Sequence, residues 1–204
     1  MDLAGLVARE HTALVTQECQ IGVIGEQAVF PELAAAARSA VGNMARLAKA
    51  ARASGVPVVH CLALRRADGK GASNNARIFG AARKSGVVLL PGSSAAEVVP
   101  EIGVEDTDIV LTRYHGLGPM GGTDLDAVLR ALGATTVVGI GVSVNVGMTN
   151  FTMDAVNAGY QFVLPRDAVA GIPASYADAV IDNTLVLLAT VVTTDDVIAA
   201  WERA

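Results

Sequence analysis

Six short runs of this 204-residue chain are mostly apolar and do not alternate: Thr12–Thr16, Val56–Cys61, Asp108–Thr112, Thr135–Ile140, Gln161–Leu164 and Val191–Thr193. A strand with one face in water alternates apolar and polar residues, so an unalternating run implies burial on both faces. Segments with helical spacing separate these runs. Between Pro31 and Ser54 apolar residues recur at Leu33, Ala37, Val41, Met44, Leu47 and Ala51, and Gly55 supplies a C-cap. Further helices are expected over Thr123–Leu132, with Thr123 as N-cap and Asp126 as its partner, over Asn145–Ala158, closed by Gly159, over Ser175–Leu188, and at the end of the chain near Trp201. Residues 65–86 are polar and carry several glycines, and read as an excursion over the surface. Such alternation demands a parallel sheet covered by helices on both faces. It runs from end to end with no linker or repeat, so one domain over 1–204 is expected.

Charge narrows the choice of partners. The chain has 15 Lys plus Arg against 20 Asp plus Glu, a net charge of −5, and no basic cluster that could neutralise phosphates. Aromatic residues make up only 4 %, too few for a base-stacking platform, so no nucleic-acid partner is expected. Cys19 and Cys61 do not form a disulfide framework, and they suit a reducing cytoplasm. The first residues, with Asp2, Arg9 and Glu10, do not read as a signal peptide, and apolar stretches such as 184–192 are too short to span a membrane. No phosphate-loop motif is present, and Val144 breaks the dinucleotide glycine pattern in 139–147. His11, His60 and His115 lack metal-ligand spacing, so neither cofactor nor metal is expected.

Ligands of parallel α/β sheets bind beyond the carboxyl ends of the strands. Four places qualify: Gln17 with Glu18, His60 with Cys61, Arg113 with His115, and the turn Gly141–Gly147. Glu18 follows a buried strand directly, where a carboxylate is costly unless solvated or paired. It reads either as a general acid or base tuned by a partly closed pocket, or as one half of a rim salt bridge. Arg113 offers a permanent charge and a fork of donors for a carboxylate, whether that of Glu18 or of a substrate. His60 reads equally as a ligand or as a satisfied rim residue, whereas a lone loop histidine such as His115 is more often solvated or a structural hydrogen bonder than functional. Both cysteines read as small buried apolar residues rather than thiolates. The glycines of 139–147 permit a sharp strand-to-helix turn whose free amides favour an anion.

The stretches ALVTQECQ (13–20), DIVLTRYHGLGPMGGTDLDAVLRALGATTVVGIGVSVNVG (108–147), MDAVNAGYQFVLPRDAVAG (153–171) and AVIDNTLVLLAT (179–190) cover most of the chain. Together they resemble the isochorismatase-like hydrolase superfamily, which includes nicotinamidases and N-carbamoylsarcosine amidases. The resemblance implies a three-layer α/β/α sandwich on a central, mainly parallel six-stranded sheet, a small-molecule substrate and a homo-oligomer. Segment 72–100, the part that shapes substrate choice in that family, matches poorly. The familiar chemistry there uses an Asp ending the first strand, a Lys before the TDLDAVLRALG helix and a Cys opening the helix after the GV turn. The corresponding positions here are Glu18, Arg113 and Gly147. Glycine cannot attack a carbonyl, and the true isochorismatases of the family also carry glycine there and use the first carboxyl as a general acid on a vinyl ether. The resemblance therefore implies hydrolysis of a small anionic metabolite, with Glu18 as acid and Arg113 orienting a substrate carboxylate. Gln17, His60, His115, Val142, Ser143, Asn145 and Val146 would form the substrate site, with a cis peptide at Val142–Ser143 and an oxyanion site in the turn amides. A silent binding protein on the same fold, or a C–N hydrolase with another nucleophile, are the alternatives.

Overall fold

The unalternating apolar runs form strands of a parallel sheet covered by helices on both faces, and a computed structural model describes residues 2–203 of it. Along the chain the elements are α1 (Leu3–Leu6), β1 (Thr12–Gln17), α2 (Ile21–Ile24), α3 (Pro31–Ala53), β2 (Val58–Ala63), α4 (Arg77–Lys84), β3 (Ile109–Arg113), α5 (Leu125–Ala131), β4 (Thr136–Val142), α6 (Thr149–Asn157), β5 (Gln161–Pro165), β6 (Val169–Ala170), α7 (Ala174–Asn183), β7 (Thr190–Val192) and α8 (Thr194–Glu202). The strand order is β3-β2-β1-β4-β5-β7, and the two-residue β6 adds a seventh strand beside the end of β4. These pairings are parallel throughout, with Thr16 level with His60 on one side and Ile140 on the other.

Side chains alternate across a strand, so each central strand feeds two layers. Leu14, Val58, Val138 and Ile140 pack under α3 and α8 with Met44, Leu47 and Trp201. Ala13, Val15, Val59 and Val137 pack on the other face with Leu125, Leu129 and Phe151 of α5 and α6. This explains why all six residues of β1 are buried and why the run contains no alternation. Helix α3 starts with Pro31 in its first turn, where the missing N–H costs nothing, and stops where Gly55 turns left-handed at φ +73°. The Val56 amide then reaches back to Ala51 and the Gly55 amide to Arg52, which closes the helix in a Schellman motif.

Several local expectations shift; the helix expected over Ser175–Leu188, for one, ends at Asn183 and gives way to a 3-10 turn over Leu185–Leu187. β3 lies at the sheet edge and is not buried on both faces, since Val110 is 43 % exposed. The excursion over 65–86 contains a helix, α4. The helix after Thr123 opens at Leu125 with Asp124 at its N-cap position, while the Thr123 hydroxyl accepts from the Leu125 amide. The helix expected from Asn145 begins as a π-type turn over Val144–Met148, in which the Met148 amide donates to Ser143 O at 2.9 Å. Among the described residues, no helix is long and apolar enough to cross a membrane.

Candidate active site

The carboxyl ends of β1 to β4 surround a cavity of about 450 Å³. Glu18 enters it from the first residue past β1. Its amide donates to Cys61 O at 3.0 Å, which carries the β1–β2 pairing one residue further. Its φ is +54°, the one positive value at a non-glycine position among the described residues. A side chain in that region is disfavoured by contact of its Cβ with the following carbonyl, and such residues collect at functional sites. The bend after Glu18 is held by Gln20, whose side chain is fully buried. Its Oε1 accepts from the Ala63 amide at 2.8 Å, and its Nε2 donates to Ala63 O at 3.0 Å and Ala96 O at 3.1 Å.

Arg113, the last residue of β3, donates from Nη2 to Glu18 Oε1. Its side chain is only 4 % exposed against 22 % for Glu18, and its Nε and Nη1 have no acceptor among the described residues. Among the described residues, Glu18 is thus the sole side-chain counter-charge of a nearly buried guanidinium.

The turn after β4 supplies another part of the wall. The peptide bond Val142–Ser143 is cis, and Ser143, Asn145, Val146 and Gly147 all line the cavity. Asn145 Nδ2 donates to Ile172 O at 3.2 Å, while its Oδ1 is buried without a donor. A Cβ at Gly147 would overlap the Nε2 of Gln17, so a side chain there requires the Gln17 amide to move. Gln17 itself is fully buried behind the wall, and its Nε2 faces Leu117 O at 3.5 Å. Val142 is likewise buried and does not reach the cavity surface, whereas His115 lines it.

His60 stands apart. It points into the sheet interior, with Nδ1 at 2.9 Å from Thr16 Oγ1 and Nε2 at 3.2 Å from Asp108 Oδ2. Asp108 is held in turn by Arg52 at 2.7 Å. Burial pushes the His60 pKa down, against the opposing pull of Asp108. The structure places His60 in this buried network rather than in the cavity wall. Cys19 and Cys61 are also outside that wall, and burial pushes both thiols up to about 12, far from the thiolate form.

The structure therefore brings Glu18, Arg113, His115, Ser143, Asn145, Val146 and Gly147 around one cavity, with Gln17 and Val142 directly behind it. Spacing alone does not reveal Gln20 or the apolar wall made by Phe30, Leu33, Ile78, Phe79, Leu89 and Ile172. For the wall, the available signal is the apolar pair Ile78–Phe79 inside a polar segment. Among the described residues, no group of three or more His, Cys, Asp or Glu side chains could hold a metal ion.

An isochorismatase domain model matches residues 12–196. The uncharacterized isochorismatase family protein YwoC of Bacillus subtilis is 41 % identical over 75 residues, which is 37 % of this chain and 39 % of that relative's length. The chain thus spans well under half of this curated relative in the match. An isochorismatase family protein from Burkholderia thailandensis superposes with a TM-score of 0.75 at 27 % identity, over 95 % of this chain and 96 % of that one. The N-carbamoylsarcosine amidase from Thermoplasma acidophilum gives 0.72 at 27 %, over 91 % and 97 %.

Proposed function

The chain belongs to the isochorismatase family, and from that premise we propose that it hydrolyses a small metabolite bearing an anionic group, with Glu18 as general acid and no cysteine nucleophile. The observation that carries this reading is the Gln17 amide, which fills the space a side chain at position 147 would need, while a carboxyl and a cation remain on the cavity wall. A site arranged in this way has no side chain at 147 for acyl transfer. It retains a group that can give a proton and a group that can balance charge.

The chemistry is that of a vinyl ether. Glu18 gives a proton to the terminal alkene carbon, and water adds to the oxocarbenium carbon so formed and loses a proton. The resulting hemiketal separates into an alcohol and a ketone, and Glu18 regains a proton from solvent. Once Glu18 is neutral, the charge of Arg113 is unbalanced, and a substrate carboxylate restores the balance in a site where an uncompensated charge is costly.

Purified protein should turn over a vinyl ether such as isochorismate, and Glu18→Gln should reduce that rate by roughly 100-fold or more, the range of a lost general acid. Circular dichroism would establish that the variant is folded. An undiminished rate in folded Glu18→Gln overturns the mechanism. The closed Glu18–Arg113 pair favours a second reading, a binding protein that has kept the pocket and lost turnover. Ligand-induced thermal stabilisation with no hydrolysis of vinyl ethers or amides would select it.

A further inference from the structure

We infer that the substrate of this cavity is an amphiphile: an alkyl or aryl body carrying a single anionic group, rather than a compact polyanion. The inference rests on the proposed function only for which end reacts. Three observations carry it.

The first is the wall. Beyond the polar residues around Glu18, the cavity is closed by Phe30 and Leu33 at the start of α3, by Ile78 and Phe79 of α4, by Leu89 and by Ile172. A volume of about 450 Å³ exceeds what a carboxylate and a scissile bond need, and it lies within the usual range for small-molecule sites.

The second is α4. None of its eight residues is buried. Ile78, Phe79 and Ala82 fall on one side of the helix, line the cavity and are each half-buried, whereas Arg77, Arg83 and Lys84 are exposed. The apolar side of this helix faces open space, and a ligand that removed it from water would be held by the same effect that builds a core.

The third is the charge count. The charged side chains on the wall are Glu18, Arg113 and Arg65. Glu18 and Arg113 pair with each other, and Arg65 has no carboxylate partner among the described residues. With Glu18 ionised, as in the free protein's ion pair, the wall thus offers one net positive charge. A second or third substrate carboxylate would find no further permanently charged side chain on this wall, only uncharged groups such as Ser73, Ser143 and Asn145, and the part made by Phe30, Leu33, Ile78, Phe79, Leu89 and Ile172 has no side-chain donor to offer it, a cost that an apolar body avoids.

Calorimetric titration tests this without turnover. 4-Phenylbutanoate should bind about tenfold or more tighter than succinate, the margin expected for burying an aryl body, with a negative heat-capacity change. Phe79→Ser, in a helix none of whose residues is fully buried and with folding checked by circular dichroism, should weaken 4-phenylbutanoate about tenfold and leave succinate within about twofold. Equal or tighter binding of succinate, no detectable binding of 4-phenylbutanoate, or an affinity unmoved by Phe79→Ser overturns the inference. So does a Phe79→Ser variant whose sedimentation shows a changed association state while 4-phenylbutanoate affinity stays the same, since the apolar side of α4 would then be covered by a second copy of the chain. A protein that binds as expected but fails to hydrolyse vinyl ethers keeps this inference and loses the general-acid mechanism. One that hydrolyses them but prefers succinate does the reverse.

Discussion

Glu18 concentrates several costs in one residue. It adopts a left-handed backbone, and among the described residues it is the sole side-chain counter-charge of an arginine side chain that is 4 % exposed. Removing its charge leaves Arg113 buried and uncompensated, which typically costs about 3–5 kcal/mol. Glu18→Gln should therefore be clearly less stable to urea. Adding Arg113→Met should restore most of the loss, because the stranded charge goes with it. Strictly additive losses in the two single variants and the double variant would show that the pair is not coupled. Gly147 makes the complementary case. Gly147→Cys forces the Gln17 amide to move aside, and overpacking of this kind costs about 1 kcal/mol, the lower end of its range, because the displaced atom ends a flexible side chain. A second change, Gln17→Ala, opens that space and should return part of the stability in the same urea titration. Both residues of the ion pair are legible in the sequence, because each directly ends a mostly apolar strand run or follows one. The Gln17–Gly147 contact is not legible, since it depends on the end of β1 meeting the turn after β4, 130 positions further along the chain.

At the scale of elements, legibility followed the strength of the local signal. α3 was readable at both ends, because Pro31, the apolar period and Gly55 agree, and the structure uses all three. Gly55 has open space around its missing Cβ, so Gly55→Ala should cost only the left-handed backbone penalty, about 1–2 kcal/mol. A thermal melt would register it. α4 had no such agreement. It has no side-chain cap, a glycine at position 80 and a one-sided apolar face only a few residues wide, so polar composition dominated the segment around it. The same weakness predicts its behaviour. A helix with no buried residue opens at low free-energy cost. Limited trypsin digestion should cut first at Arg77, Arg83 or Lys84, before Arg38 or Arg46 of α3. Initial cleavage within α3 would contradict this ranking.

For the molecule as a whole, the doubly covered parallel sheet was legible because burial on both faces leaves a mark on every residue of a central strand, as in β1. The edge was harder to read. β3 carries the same residue types as the central strands yet exposes Val110, because edge position depends on strand order, which no local pattern encodes. His60 was placed at a strand end for a related reason: β2 runs two residues beyond the expected stop, which puts His60 mid-strand beside Thr16. There it joins β1, β2, Arg52 of α3 and the loop at Asp108 in one buried network, so its titration is a property of the whole fold. Burial lowers its pKa, so below about 6.5 the unfolded chain takes up a proton that the folded chain refuses, and stability must fall as pH falls. For Asp108, burial works to raise the pKa, but Arg52 and the other donors lower it overall. Its contribution therefore persists above the unfolded carboxylate range and is lost only as the pH drops further, below about 4. Urea titrations from pH 7 to pH 5 should thus show declining stability, and His60→Gln, less stable at pH 7, should show a shallower decline. Parallel pH dependences in the two proteins would remove residue 60 from the account and leave the acid sensitivity to other groups.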